Sequence, residues 1–410
     1  MADRRVRLGV AGLGRAFTLM LPTLAADPRV EIVAAADPRP EATRRFAADF
    51  NARTYASIDG LCGEPSVEAI YVATPHQHHA AHVAQAAAAG KHVLVEKPMA
   101  ITLDECRQMI DATEGAGVHL IVGHSHSFDR PILRARELIA SGAYGALRMI
   151  NAQYYTDFLY RPRRPEELDT QLGGGVVFSQ GAHQVDIVRL LGGGRARTVR
   201  ARTAAWDPRR PTEGAYAALL SFEDGAFASL VYSGYAHFDG DELCGGIGEL
   251  GLSKDPRSYG AARANLQRAA IAADEAALKN ERNYGGARYA GSHGGVARSH
   301  GADGEAPWHQ HFGMVLASCE RADLRPLPTG VMIYGDSEAR LDALSKPTVA
   351  RAEVIDELYA AIFRGRAPLH DGRWAMATLE VCLAILRSAR EGREISLEHQ
   401  VALSQGANRV

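Results

Sequence analysis

The chain has 410 residues, which is more than one ordinary hydrophobic core requires and indicates two domains. Its 46 basic and 48 acidic side chains nearly cancel, so no overall field attracts nucleic acid or an anionic membrane surface. No signal-peptide pattern and no apolar stretch of membrane-spanning length occur, and the five cysteines lack metal or disulfide spacing. These features predict a cytoplasmic protein with reduced thiols and with no nucleic-acid or membrane partner.

Residues 1–125 alternate short apolar strands with segments of helical periodicity. Strands are predicted at Arg7–Val10, Val30–Ala35, Ala69–Ala73, His92–Val95 and His119–Val122. Short apolar runs without polar alternation are typical of parallel strands that are covered on both faces. We therefore predict an α/β domain at residues 1–125, built on a doubly wound parallel sheet.

The pattern changes in residues 126–410, where longer segments have β character. After a helix predicted at Ile132–Ser141, strands are predicted at Leu147–Tyr155, Thr198–Ala204, Ala215–Phe222, Ala226–Tyr235, Phe312–Ala317 and Gly330–Tyr334. Asp224-Gly225 marks a tight hairpin, because these residues readily supply the positive φ that such turns need. We predict an α+β domain with a large, mostly antiparallel open sheet.

Two helices and an insertion complete the second domain. Helices at Arg351–Arg364 and Arg373–Arg390 are predicted to complete the fold. Residues 250–307 are rich in Gly, Ala, Ser, Arg and His, and we interpret them as an insertion. A helix is predicted there at Ala262–Lys279, followed by a loop from Tyr284 to Gly304.

The first strand runs into Gly12-Leu13-Gly14, the first part of a dinucleotide-binding fingerprint. Bare backbone at both glycines lets amide N–H groups and the following helix N-terminus approach a pyrophosphate. Arg15 and Ala16 would form the first turn of that helix. Phe17 stands where the third glycine of the fingerprint usually occurs, so the glycine pair alone is weak evidence.

Asp37 supplies the second half of this signal, 23 residues after Gly14 and at the end of an apolar strand. A carboxylate there accepts hydrogen bonds from both ribose hydroxyls and repels a 2′-phosphate, so the pattern predicts NAD as the cofactor. Arg39 lies close enough to leave NADP open. The alternative is that Asp37 only begins a turn before Pro38.

Lys97 and His183 are the candidate catalytic residues. Glu96-Lys97-Pro98 closes a strand at the depth where a nucleotide-binding domain presents its carboxyl edge, which would place the lysine beside a nicotinamide. A lysine there stabilises negative charge on a reacting oxygen or accepts its proton, and a histidine suits acid/base work near neutral pH. The alternatives are a Glu96–Lys97 ion pair and a helix histidine within Gln180–Leu191.

Several motifs together resemble the glucose-fructose oxidoreductase/inositol dehydrogenase family, also called Gfo/Idh/MocA. They are Ala73-Thr74-Pro75, His79, Gly90-Lys91-His92-Val93, Glu96-Lys97-Pro98, Gly173-Gly174-Gly175 and His183. The resemblance implies that Lys97 hydrogen-bonds the reacting oxygen and that His183 acts as acid/base. It also implies cofactor contacts from Thr74, Pro75, His76, His79, Glu96 and Lys97.

Two positions depart from the family pattern, and one branch resembles the chain further. Ser179 stands where many members have aspartate, and His76 replaces the usual asparagine, which disfavours a typical sugar or inositol substrate. The stretches Gly123–Asp129, Ser179–Arg189 and Trp206-Asp207-Pro208 resemble the phthalate 4,5-cis-dihydrodiol dehydrogenase branch. That resemblance implies oxidation of phthalate 4,5-cis-dihydrodiol to 4,5-dihydroxyphthalate. The alternatives are a dehydrogenase of a sugar, glycoside or cyclic polyol, and a non-catalytic redox sensor.

The substrate side of the site is predicted from an arginine-rich segment. Arg161, Arg163 and Arg164 fall within four residues, beside two prolines and after several tyrosines, and their planar guanidinium groups could bind carboxylates of the substrate. The alternative is a solvated loop or a subunit contact. The full set of predicted substrate-binding residues is Lys97, His126, Tyr155, Arg161, Arg163, Ser179, His183 and His237.

Histidine clusters occur at 76–82, 124–126 and 309–311, but no metal-binding motif accompanies them, so no metal is predicted. An open antiparallel sheet leaves a face that needs cover, and the family resemblance implies association through it. A homodimer or homotetramer is therefore expected.

Overall fold

The computed structural model describes residues 4–269, 275–286, 289 and 306–403. Contacts group these residues into two compact units. The first is drawn from Met1–His124, Ala276–Ser299 and Val349–Met376, and the second from Ser125–Glu275, His300–Thr348 and Ala377–Val410.

The first unit contains a six-stranded sheet. Its strands are β1 Val6–Ala11, β2 Val30–Ala36, β3 Arg53–Tyr55, β4 Ala69–Val72, β5 His92–Val95 and β6 Leu120–Val122. They pair in parallel in the order β3-β2-β1-β4-β5-β6. This is the strand order of a dinucleotide-binding Rossmann sheet, and it confirms the predicted fold class. The strand order reverses between β1 and β4, so the residues after these two strands lie at the switch point.

In the described part of the chain, most helices come directly after a strand in the sequence. They span Arg15–Ala26, Pro40–Phe50, Ile58–Cys62, His79–Ala88, Leu103–Gly115, Arg130–Ala140, Ala182–Leu191, Ala261–Ala269, Glu275–Asn280, Ala352–Arg364 and Gly372–Glu391. Local signals begin several of them: Thr102 accepts a hydrogen bond from the Glu105 N–H in a capping box, and Pro40 stands in a first helical turn. Of the described helices, none is long and apolar enough to cross a membrane.

A segment near the carboxyl end of the chain belongs to the first unit. The Val122 N–H donates to the His370 carbonyl at 2.9 Å, and Thr23 Oγ1 donates to the Ala350 carbonyl at 2.7 Å. These bonds explain why Val349–Met376 groups with residues that precede it by more than two hundred positions. The expected domain boundary at residues 125/126 stays a prediction, and this returning segment was not foreseen.

Part of the insertion also packs on the first unit. Tyr284 is fully buried, with its ring 5.3 Å from that of Phe17 and 6.0 Å from that of Phe46. Its hydroxyl donates to Asp49 at 2.5 Å, and its N–H donates to the Leu13 carbonyl at 3.2 Å. The helix predicted at 262–279 is described as two pieces, while the residues between them and most of the predicted loop 284–304 lie outside the described residues.

The second unit contains a nine-stranded sheet. Its strands are β7 Leu147–Tyr155, β8 Ala196–Ala204, β9 Ala215–Phe222, β10 Phe227–Ser233, β11 Met314–Cys319, β12 Ala322–Leu327, β13 Gly330–Gly335, β14 Ala339–Ala343 and β15 Ile395–Ser396. The order is β14-β13-β12-β11-β7-β10-β9-β8-β15, and among the described strands of this sheet only the β7–β10 pair is parallel. The mostly antiparallel sheet and the hairpin at Asp224-Gly225 are therefore confirmed.

Helices Arg130–Ala140 and Ala182–Leu191 pack against this sheet. A single π-helical turn at Val177–Gly181 leads directly into the second of them. Because π turns are frequent at functional sites, the start of that helix is a natural place to look for chemistry.

Candidate active site

The glycine turn after β1 has the geometry of a phosphate cradle. Gly12 has φ +93°, and a Cβ added there would lie 2.8 Å from the Ala73 carbonyl oxygen, so only glycine fits. Gly14 immediately precedes helix Arg15–Ala26, whose first turn includes Ala16. The bare backbone and the helix N-terminus therefore suit a pyrophosphate, and the residues present fit a dinucleotide.

Asp37 and Arg39 form a tight pair beside this turn. Asp37 is buried and accepts hydrogen bonds from the Leu13 N–H at 2.8 Å and the Arg39 N–H at 2.9 Å. The Arg39 guanidinium donates to both carboxylate oxygens, at 2.9 and 3.0 Å, and to the Leu13 carbonyl at 2.8 Å. Because a carboxylate offers about four acceptor sites, a ribose diol must displace some of these donors to reach Asp37.

His79 joins the loops that follow β4 and β5. One ring nitrogen lies 2.9 Å from the Thr74 carbonyl, and the other lies 3.1 and 3.2 Å from the carbonyls of Pro98 and Met99. Burial lowers the pKa of His79 to about 4, against the opposing effect of these carbonyls. In this structure His79 links the backbone of the loops that follow β4 and β5, and its predicted cofactor contact stays a prediction.

The remaining residues predicted to bind cofactor lie in the same two loops as the carbonyls that His79 contacts. Pro75 is exposed, and His76 starts a short 3₁₀ turn next to it. Glu96 is directed toward Tyr71, whose hydroxyl donates to it at 2.5 Å. Burial raises the pKa of Glu96, although Tyr71 and the charge of Lys97 act in the opposite direction. Lys97 itself is half-buried and directly follows this glutamate.

A buried histidine cluster occupies the second unit. The Nδ1 atom of His126 lies 2.7 Å from Asp129 Oδ2, and its Nε2 atom lies 3.4 Å from Glu249 Oε1. Burial acts to lower the pKa of His126, but the two carboxylates outweigh it and raise the pKa. With both carboxylates ionised, both ring nitrogens of His126 must carry protons for both contacts to be hydrogen bonds.

His183 lies against this cluster. It stands in the first turn of helix Ala182–Leu191, and its Nδ1 accepts the His126 backbone N–H at 3.4 Å. The two imidazole rings are 4.7 Å apart between centroids, and Phe312 lies 5.0 Å from the His183 ring. The structure therefore brings together two residues, His126 and His183, that the sequence nominated separately.

Aromatic side chains of the sheet extend from this cluster. The Phe312 ring stacks on Tyr232 at 6.1 Å and meets Tyr154 edge-on at 5.0 Å. The Tyr232 hydroxyl donates to Gln180 at 3.2 Å and shares a 2.8 Å hydrogen bond with Thr156. An apolar floor with a few polar groups next to a histidine pair is the usual composition of a small-molecule site.

The predicted arginines differ in their surroundings. Arg163 is nearly buried, lies 3.6 Å above the Phe158 ring and donates to the Phe158 carbonyl at 2.6 Å. Burial lowers its pKa to about 10. Arg161 is partly exposed, its nearest carboxylate is Asp157 at 3.6 Å, and the charges of Glu249 and Asp157 act on it. Arg161 is therefore the guanidinium better placed to receive a new anion.

The other predicted substrate residues are more scattered within the second unit. Ser179 lies in the π turn and donates to the Gly175 carbonyl at 2.5 Å. Tyr155 ends β7, with its ring 5.9 Å from that of Phe238. His237 is exposed in the bend after β10, and no described contact places it in the histidine cluster.

Sequence reasoning missed three members of the cluster: Asp129, Glu249 and Phe312. Asp129 lies three residues after His126, so its spacing could have signalled a histidine–carboxylate pair. Glu249 lies 123 residues after His126 along the chain, and Phe312 lies farther still, so only the fold brings them near His126.

Comparison with known proteins agrees with this architecture. Residues 6–124 match a model described as an oxidoreductase family with an NAD-binding Rossmann fold, and residues 132–249 match the GFO/IDH/MocA C-terminal domain. The protein is thus an oxidoreductase built on a Rossmann nucleotide-binding domain. It belongs to the GFO/IDH/MocA family.

Three similar proteins are informative. A 1-carboxy-3-chloro-3,4-dihydroxycyclohexa-1,5-diene dehydrogenase from Comamonas testosteroni is 49% identical over 386 residues, covering 94% of this chain and 95% of that protein. A trans-1,2-dihydrobenzene-1,2-diol dehydrogenase from Mus musculus is 32% identical over 176 residues, covering 42% of this chain and 52% of its own. The crystal structure of a protein described as a dehydrogenase, from Bordetella bronchiseptica RB50, superposes on this chain with a TM-score of 0.88 at 42% sequence identity. The match covers 96% of this chain and 100% of that one.

Proposed function

We propose that the protein is an NAD-dependent dehydrogenase that oxidises a carboxylated cyclic cis-diol. The observation that carries the proposal is the buried His126–His183 cluster beside an aromatic floor and the Arg161 guanidinium, in a chain similar along its length to a carboxylated-diol dehydrogenase. A diol with one apolar ring face and one carboxylate matches that composition.

NAD is proposed as the cofactor because Gly12 and Gly14 leave room for a pyrophosphate and Asp37 is the acidic residue that recognises a ribose diol. Bound NAD⁺ would supply the acceptor for the hydride that leaves the carbinol carbon. Arg39 keeps NADP⁺ as an open alternative, since its guanidinium already lies on Asp37.

Lys97 and His183 are proposed to divide the handling of the hydroxyl proton. An oxidised secondary alcohol must lose that proton as hydride leaves the same carbon, and both residue types suit such work. Phe312 and Tyr232 would pack against the ring of the substrate and exclude water from the reacting carbon.

The phthalate 4,5-cis-dihydrodiol is proposed as the first substrate to test, with a monocarboxylated diol as its rival. Loss of hydride and proton from the phthalate diol gives a hydroxy-enone that tautomerises to an aromatic catechol, which makes the step effectively irreversible. Arg161 is proposed to bind the carboxylate, since its ion pair with Asp157 at 3.6 Å is long.

The testing experiment is a screen of NAD⁺ reduction with purified protein. The substrates are phthalate 4,5-cis-dihydrodiol, 1-carboxy-3-chloro-3,4-dihydroxycyclohexa-1,5-diene, an uncharged cis-diol and a set of sugars and inositols. We expect turnover of a carboxylated diol with the highest kcat/KM. Turnover of sugars without any diol activity would overturn the substrate proposal and leave the dehydrogenase class in place.

We also propose that the enzyme works in the cytoplasm as a homodimer or homotetramer. Its five cysteines, all of them described, form no disulfide with one another, which fits a reducing compartment. Leu219 and Phe227, on neighbouring strands of the large sheet, are 51% and 42% exposed, which supports association through that face. Light scattering of the purified protein measures the oligomeric state directly.

A further inference from the structure

We propose that the insertion sets the preference for carboxylated substrates, because its residues Arg263 and Glu275 hold the arginine-rich segment, residues 158–164, in the conformation that presents Arg161. The inference rests on the proposed function, in which Arg161 binds the substrate carboxylate. Arg263 and Glu275 are positioning residues in this account, and they act on the substrate only through Arg161.

Glu275 anchors the arginine-rich segment at Arg163. Its Oε2 atom accepts the backbone N–H of Arg163 at 3.0 Å, and each of its two carboxylate oxygens lies 3.0 Å from a guanidinium nitrogen of Arg210. Arg210 is 4% exposed and belongs to the loop between β8 and β9, so a buried residue holds the acid in turn. A bidentate arginine–carboxylate pair fixes direction as well as distance. The main chain at Arg163 therefore has a defined position relative to the sheet.

Arg263 anchors the same segment at Tyr160. Its guanidinium carbon lies 4.0 Å from the centroid of the Tyr160 ring, and the guanidinium donates to the backbone carbonyls of Tyr235 at 2.5 Å and Ala236 at 2.8 Å. These carbonyls come directly after β10. A guanidinium over an aromatic face combines cation–π attraction with packing. One arginine of helix Ala261–Ala269 therefore joins the arginine-rich segment to the end of a strand.

Arg161 lies between these two anchors. Contacts inside the segment add to the constraint, because Pro162 fixes its own φ and the Arg163 guanidinium packs 3.6 Å from the centroid of the Phe158 ring. The Arg161 side chain, by contrast, is 45% exposed, and its ion pair with Asp157 is long at 3.6 Å. A held main chain with a solvent-accessible guanidinium is a preorganised anion-binding group, which loses little conformational freedom when a carboxylate binds.

Both anchors come from a different part of the chain than the segment they hold. The arginine-rich segment lies within residues 132–249, which match the C-terminal domain of the family, and Arg263 and Glu275 come after that stretch. A change in the insertion can therefore alter how Arg161 is presented while the sheet and its helices stay the same. The alternative is that the insertion only stabilises the second unit, and the two accounts differ in their effect on charged and uncharged substrates.

The test measures kcat and KM for two diols in wild type, Glu275→Ala and Arg263→Ala. The substrates are 1-carboxy-3-chloro-3,4-dihydroxycyclohexa-1,5-diene and the uncharged cis-1,2-dihydrodiol of benzene, with NAD⁺ as the acceptor. A released segment must be ordered when the carboxylate binds, so each substitution should raise KM for the carboxylated diol about threefold to tenfold. KM for the uncharged diol and kcat for both diols should stay within about twofold of wild type, because only carboxylate binding is weakened.

Matched controls lie in the same insertion. Asp255→Ala removes an exposed carboxylate that is ion-paired with Arg257. Arg268→Ala removes an exposed arginine from the same helix as Arg263, and the described hydrogen bonds of this arginine are to its own helix. Both controls change the charge of the insertion as the test substitutions do, and both should leave the two KM values unchanged.

Coupling to Arg161 separates a positioning role from a merely structural one. In an Arg161→Ala background, Glu275→Ala should raise KM for the carboxylated diol no further, because the group that the anchor positions is already gone. Hydrogen exchange of the Arg163 amide should be faster in Glu275→Ala than in wild type, since its acceptor is removed. The exchange measurement needs neither substrate nor cofactor, so it tests the anchor independently of the proposed function.

The results that would overturn the inference differ from those that would overturn the proposed function. Equal losses for both diols, additive effects in the double variant, the same rise in KM in the controls, or unchanged exchange at Arg163 would each overturn the inference and leave the dehydrogenase proposal standing. So would an unchanged KM for the carboxylated diol in both anchor variants. Wild-type turnover of uncharged diols or sugars alone would overturn the substrate proposal, and with it the role assigned to the anchors.

Discussion

Cofactor preference should depend on Asp37 and should move in a defined direction when its carboxylate is removed. In the structure the carboxylate accepts four hydrogen bonds, three of them from Arg39. NAD⁺ can bind there only by replacing some of these donors with its ribose hydroxyls. Asp37→Ala therefore removes hydrogen bonds from the bound ribose and leaves the Arg39 cation without this partner.

The magnitude follows from that exchange. A hydrogen bond to a charged group contributes about 1.5–3 kcal/mol, but here part of it only replaces a bond to Arg39, so the lower figure applies. Since 1.4 kcal/mol corresponds to tenfold, we expect the KM for NAD⁺ to rise about tenfold in Asp37→Ala. The KM for NADP⁺ should fall, because the released guanidinium can bind the 2′-phosphate.

The assay measures kcat/KM for both cofactors in wild type, Asp37→Ala and Glu41→Ala. Glu41 is an exposed acid in the first turn of the neighbouring helix, so its removal changes the net charge equally. An unchanged cofactor ratio in Asp37→Ala, or the same change in Glu41→Ala, would refute the reasoning. Wild-type preference for NADP⁺ would make Arg39 the phosphate ligand.

Further predictions concern catalysis, substrate and stability. Lys97→Ala should bind NAD⁺ normally by nucleotide fluorescence and lose about a hundredfold to ten-thousandfold in kcat, whereas normal turnover would return Lys97 to an ion-pair role. Arg161→Ala should raise KM for a carboxylated diol about tenfold and leave an uncharged diol unaffected, while equal losses would indicate a structural role. Arg163→Ala, where the guanidinium packs on Phe158, should instead lower the melting temperature. The folded pKa of His79 is about 4, below its unfolded value of about 6.5, so between these values the unfolded state binds one more proton. The free energy of unfolding should therefore fall by up to about 1.4 kcal/mol for each unit by which the pH is lowered from about 6.5 to about 4. Thermal melts of His79→Asn should show a flatter dependence over that window, and an unchanged slope would contradict this account.

Much of the fold was predictable because buried strands must be apolar, and this shows as short apolar runs in the sequence. The strands of the first sheet are short apolar runs, and β7 and β9 were predicted with their observed bounds. The strands that were missed lack such a mark. β12 contains Pro326, and β14 is an exposed, largely polar strand at the sheet edge, so both depend on pairing with β13.

The candidate site was predictable where one motif carries the chemistry and not where the fold assembles it. Gly12 is required by the close approach of the Ala73 carbonyl, a need that a glycine pair expresses locally. Glu249 reaches His126 only because a loop of the second unit returns to it, and no spacing along the chain encodes that contact. The sequence nominated His126 as a substrate ligand, whereas its observed contacts are with two carboxylates and the His183 ring.

Phe17 and Tyr284 bear on how the family fingerprint can vary. A third glycine normally keeps the first helix close to the sheet, yet here a full aromatic ring stands in its place and is completely buried. It is covered by the ring of Tyr284, a residue that lies far along the chain within the inserted segment. The phenylalanine that replaces the glycine and the inserted segment that covers it therefore depend on each other. Shortening the insertion as though it were a dispensable surface loop would expose the aromatic ring beneath it and loosen the turn that receives the nucleotide.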